Sequence, residues 1–135
     1  DVQDLRKFGR YHGVRIGYAG MFSRATGLDE VAEKLKQRLR SSCRVHHFGK
    51  DRIRSIGIVS GGGGSMLKEA CESRLDCFLV GEIDLAVFNA AREYGMNLIV
   101  AGHYATETVG VKALMPLVRD AFGVDTVFIA DVKDL

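Results

Sequence analysis

The chain has 135 residues, enough for one domain (residues 1–135) that buries roughly two-thirds of its unfolded surface. Hydrophobic residues make up 47% and charged residues 27%, the balance of an ordinary globular chain and not of a disordered or fibrous one. The formal net charge of +2 is too small to argue for a nucleic-acid partner or an anionic membrane.

No apolar run approaches the ~18 residues that span a bilayer, and no signal peptide opens the chain. The three cysteines, Cys43, Cys71 and Cys77, lack a CxxC spacing; Cys71, on an apolar helix face, and Cys77, in a strand, read as reduced core residues, and with no spanning segment this points to a cytoplasmic address and no membrane partner. The chain opens on Asp1, and its first dozen residues read as the interior of a longer protein.

Residues 14–19 alternate well enough for a strand. Thr26 or Gly27 then starts a helix to about Arg40, with Leu28, Val31, Ala32, Leu35 and Leu39 on one stripe. Residues 44–48 read as a second strand and residues 53–60 as a third. Only the turn 49–52 separates them, so an antiparallel hairpin is expected. Four glycines, Gly61 to Gly64, follow, and Ser65 or a nearby Gly opens a helix to about Arg74. Residues 76–80 give strand four, Asp84 caps a helix to Tyr94, and Gly95 stands where a C-terminal cap needs positive φ. Residues 97–101 give strand five. A long helix from about Ala105 to Phe122 is ended by Gly123, with a kink or break expected at Pro116, and residues 125–130 read as a last strand. This alternation predicts a layered α/β fold whose mixed, mostly parallel sheet is flanked by helices.

The chemistry concentrates at strand ends. His103 and Glu107 follow the apolar run 98–101 and stand four apart, so one side of a helix start presents an imidazole and a carboxylate. That pair is half of a divalent-metal site; alone, it could equally brace the turn. Thr106 and Thr108 beside it can tune a metal-bound water or cap the helix. Glu82 ends strand four on the same edge, where it can serve acid–base chemistry, hold a histidine nitrogen or cap the next helix. The tetraglycine sits where phosphate-binding loops sit but lacks the Lys-Ser/Thr of a P-loop and the last Gly of GxGxxG. It is as readily a close backbone approach as an anion contact. His46 and His47 are adjacent in a strand and should face apart, and His12 has no partner in view.

The segments 55–65, 76–82 and 101–110, the last containing Gly-His-Tyr-Ala-Thr-Glu, closely resemble the Nif-three-like family of dinuclear metal-centre proteins, also labelled GTP cyclohydrolase 1 type 2 homologues. The resemblance runs from about Gly13 to Asp131 and implies the C-terminal lobe of a two-lobe protein. It implies two divalent ions (Zn, Fe, Mn or Mg), with His103 and Glu107 as ligands and the remaining ligands supplied by an N-terminal lobe outside this chain. It implies self-association into a homo-oligomeric ring, a hexamer, with metals facing a cavity. The function implied is a metal-dependent hydrolase acting on a nucleotide-like or small heterocyclic substrate, with Glu82 as catalytic or supporting carboxylate and Gly61, Gly62, Gly63 and Gly64 as an anion-contacting loop. The alternative is a non-catalytic metal-binding scaffold or regulator.

Overall fold

The computed structural model describes residues 2–131. Its first element is one the periodicity does not reveal. β1 (Val2–Tyr11) and β2 (Val14–Gly27) form an antiparallel hairpin in which Tyr11 pairs with Val14. The two-residue turn has φ of 45° at His12 and 85° at Gly13, the mirror-image turn geometry that suits the twist of a hairpin. β1 buries only Phe8 and Gly9, so its sequence carries no apolar stripe.

The remaining elements are α1 (Leu28–Leu39), β3 (Arg44–His46), β4 (Arg52–Val59), a 3₁₀ turn (Gly63–Met66) running into α2 (Leu67–Glu72), β5 (Cys77–Val80), α3 (Leu85–Tyr94), β6 (Asn97–Val100) and α4 (His103–Phe122). They build one mixed six-stranded sheet in the order β1-β2-β4-β5-β6-β3. β4, β5 and β6 run parallel at its centre, and antiparallel strands complete it on both sides. This is the layered α/β architecture expected from the alternation.

Every residue of β5 and β6 is buried, because both sheet faces are covered. On one face Val59, Phe78, Val80, Leu98 and Val100 pack with Met66, Leu67, Ala70 and Ala91 from the α2 and α3 side. On the other, Ile56, Cys77, Leu79 and Ile99 meet Leu28, Val31 and Ala32 of α1. At ~25 cal/mol per Å² of apolar surface removed from water, these two layers hold the sheet between the helices.

Three expectations are corrected. Residues 44–48 and 53–60 do not form a hairpin; β3 crosses to the far edge and pairs antiparallel with β6, His46 opposite Leu98. The fully buried Asn97 explains the detour. Its Oδ1 accepts from Phe48 N (3.0 Å) and Gly49 N (2.8 Å), and its Nδ2 donates to the carbonyls of Lys50 (2.7 Å) and Asp76 (3.2 Å). The segment after β3 is thereby pinned across the start of β6, leaving room for β5 between β6 and β4.

Residues 125–130 form no strand, and Val127 and Ile129 are exposed at 82% and 83%. The outer edge of β6, where a further parallel strand would join, is already taken by β3. Pro116 does not divide the last helix: α4 is continuous, and Lys112, whose carbonyl loses its intrahelical partner, is exposed to water. None of the residues of α4 is buried.

Candidate metal centre

The parallel strands β4, β5 and β6 all point their carboxyl ends at one rim, and a glycine follows each of them closely there. The ladder continues past the strands. Gly102 N donates to Gly81 O (2.9 Å), and Glu82 N donates to Gly61 O (3.1 Å). Gly61 and Gly102 both have positive φ, 65° and 91°, a conformation that side chains resist. They turn the chain sharply enough for the β4 loop, the β5 end and the α4 start to converge.

His103, the first residue of α4, lies at the centre. Its Nδ1 is 2.9 Å from Glu82 Oε1, and its Nε2 is 3.0 Å from Glu107 Oε1. Both nitrogens therefore face carboxylates. A neutral imidazole has one N–H and one lone pair, so one of these contacts calls for a second positive centre, a proton or a metal ion. The Glu82 hydrogen bond foremost, then the charges of Glu107 and Glu82, raise the imidazole pKa above its ordinary value, against the opposing effect of burial. The side chain is 44% exposed, so a cation can reach it from solvent.

Thr106 ties the rim together. Gly61 N donates to its Oγ1 (3.0 Å), and that hydroxyl has the carbonyls of Gly102 (2.8 Å) and His103 (2.9 Å) as its acceptors.

A divalent ion suits this donor set. Donor atoms 3.0 Å apart match adjacent ligands about 2.1 Å from a common ion. The space is kept by a missing side chain: a Cβ on Gly61 would lie 2.3 Å from Glu107 Oε1 and 3.0 Å from His103 Nε2. Glu82 occupies the other ring nitrogen, so it orients the imidazole and does not converge on the same point. Among the described residues, no group of three or more His, Cys, Asp or Glu side chains is placed to hold a metal. His103 and Glu107 could supply two of the ligands such an ion needs.

The glycines divide in two. Gly61 and Gly62 lie against the Glu107, His103 and Glu82 side chains, whereas Gly63 packs on Val59 and Val80 and Gly64 on Val87. A cavity of about 350 Å³ opens beside them, lined by Gly62, Gly64, Ser65, Glu82, Ile83, Asp84 and Val87, with no cationic side chain. Asp84 caps α3 by accepting from Val87 N at 2.8 Å, which leaves Glu82 free of that task.

His46 and His47 do face apart. His46 stacks on Phe48 (5.7 Å) and meets Phe88 edge-on (5.0 Å), and burial lowers its pKa. His47 Nε2 lies 3.1 Å from Asp29 Oδ1. His12 forms part of the hairpin turn. The Asn97 clamp has no signature in the sequence, because an asparagine before an apolar run usually reads as a cap or a turn. Cys77 lies fully buried, with its thiol pKa pushed up by burial.

The mixed α/β lobe with helices on both sheet faces is one that comparison with known proteins places in a family. A model of the DUF34/NIF3 (NGG1p interacting factor 3) family matches residues 1–134, and the chain belongs to that family. It is 43% identical over 130 residues to a Pyrococcus abyssi protein named GTP cyclohydrolase 1 type 2 homolog, covering 96% of this chain and 52% of that one. A Deinococcus radiodurans protein of the same name is 39% identical over 128 residues, covering 95% and 49%. A solved protein from Thermus thermophilus superposes with a TM-score of 0.82 at 34% identity, covering 99% of this chain and 52% of that one. The chain spans about half the length of the curated relatives it matches. Among the described residues, no helix is long and apolar enough to cross a membrane.

Proposed function

We propose that this chain supplies half of a dinuclear divalent-metal centre, with His103 and Glu107 as ligands and the remaining ligands coming from an N-terminal lobe of a longer protein. The reading favoured is a metal-dependent hydrolase acting on a nucleotide-like or small heterocyclic substrate, which also accords with the name its relatives carry. The observation that supports it is the cradle at Gly61, kept open against an imidazole nitrogen and a carboxylate oxygen 3.0 Å apart.

When bound, divalent ions would supply a water of lowered pKa and a clamp for a phosphoryl or carbonyl oxygen. The chain's own residues do the rest. Glu82 fixes the ring of His103 through Nδ1, Thr106 holds the glycine loop, and the cavity beside Glu82 gives a small substrate room. The loop faces two carboxylates, so it tolerates an anion only once cationic charge is present at the rim.

The second reading is a ring-forming, non-catalytic metal protein, and the exposed apolar side of α4, with Leu117 and Phe122 open to solvent, favours an assembled form. Elemental analysis and phosphoester or heterocycle hydrolysis by the full-length protein and its H103A variant test the proposal. Bound metal and turnover, both lost in H103A, support the hydrolase. Metal without turnover leaves the scaffold. No metal in the full-length protein ends both.

A further inference from the structure

A second cavity lies at the opposite end of the sheet. β2 leaves its ladder with β4 after Met21 and rejoins it at Thr26, next to the start of β4. Residues 22–25 arc outward beside α1, and the irregularity opens a groove of about 270 Å³ between them.

Phe22, Val31 and Leu35 make an apolar floor, and Arg24, Lys34 and Arg38 stand around it with Glu30, the one carboxylate among the described lining residues. Lys34 is spent on that carboxylate at 2.7 Å. Arg38 has no hydrogen-bond or ion-pair partner among the described residues, and Arg24 acts on Glu30 only as a charge, more weakly than Lys34 does. Arg52, at the same end, donates to the carbonyl of Ala25 and adds positive field. The groove therefore pairs a half-buried apolar floor, Phe22 and Leu35 beside the buried Val31, with the exposed guanidinium groups of Arg24 and Arg38.

This combination excludes most occupants. A free phosphate would leave the floor wet, and a neutral apolar ligand would leave the guanidinium groups unused. An extended peptide adding to the sheet needs a run of unpaired strand, and here only residues 22–25 are out of the β4 ladder, shorter than an ordinary strand. The volume suits a small ligand and not a dinucleotide. We infer that this groove binds a nucleoside monophosphate, with the base over Phe22 and Leu35 and the phosphate at the rim where Arg24 and Arg38 stand. Arginine forks take phosphate oxygens two at a time, and flat bases suit an apolar floor.

Adenosine monophosphate titrated into the full chain tests this by amide chemical shifts. Shifts confined to Phe22, Val31, Leu35 and their neighbours are expected. Affinity should fall at least tenfold for the double variant R24E/R38E, and adenosine or inorganic phosphate should each bind at least tenfold more weakly than the nucleotide. Should the double reversal fail to fold, R24Q and R38Q serve, each losing several-fold. No shifts at millimolar nucleotide, affinity unchanged by these substitutions, inorganic phosphate binding as tightly, or shifts centred on His103 would each overturn the inference.

Discussion

The hydroxyl of Thr106 lies 3.0 Å from the amide nitrogen of Gly61, 45 residues away in sequence, and accepts its hydrogen. Through that one contact the start of α4 is fastened to the loop that must stay clear of His103 and Glu107. T106V keeps the shape of the side chain but removes the acceptor, leaving a part-buried N–H unpaired. A loss of about 1–2 kcal/mol in urea unfolding is expected, with T106S close to the parent. Weaker metal retention by the full-length T106V protein should accompany it.

At Gly61 the demand is for both backbone and space. G61A puts a side chain at positive φ and its Cβ against Glu107 Oε1. Metal content of the full-length protein should drop to background, while circular dichroism stays native and stability falls by about 1–2 kcal/mol. Full metal occupancy in G61A would remove the cradle argument.

The pH dependence has a definite sign. His103 is held above its ordinary value of 6.5. The stability it gains from its two carboxylates is complete below about pH 6.5 and is lost as pH rises through the raised folded-state value. Metal binding runs the other way over the same window, since the ion must displace the proton from Nε2. Imidazole resonances followed by NMR should report a lower titration midpoint in E82Q, which removes the largest cause of the upward shift.

Asn97 is fully buried and uses its amide on four backbone groups. N97L orphans all of them and should lower unfolding free energy by about 3 kcal/mol, enough to lower the urea midpoint clearly. The His103 titration should be unaffected, because the clamp lies at the other end of β6.

The helices and the central strands are legible because their apolar residues keep a period or a run: the stripe Leu28, Val31, Ala32 and Leu35 is the face α1 buries, wholly or in part. The rim is legible because His103, Glu107 and Glu82 each follow a strand end, and parallel strands bring such ends together. Strand order is not. A short turn between residues 48 and 53 suggests a hairpin, and only the side-chain amide of Asn97, remote in sequence, redirects it. β2 is legible in the alternation of residues 14–19, whereas β1, which buries only Phe8 and Gly9, escapes, and with it the β1–β2 hairpin. Its signal is present in His12-Gly13, a dipeptide suited to two consecutive positive φ values.

β3 finds its neighbour only when β6 has been made, since His46 pairs with Leu98. A ribosome must therefore extend the chain from residue 46 to residue 98 before that edge can close. The ring partner Phe88, on α3, is also distant in sequence, so His46 and Phe48 are held by non-local contacts on both counts. The edge of this sheet is thus closed by a pairing that spans about fifty residues of chain, a contact whose loop-closure cost slows its formation.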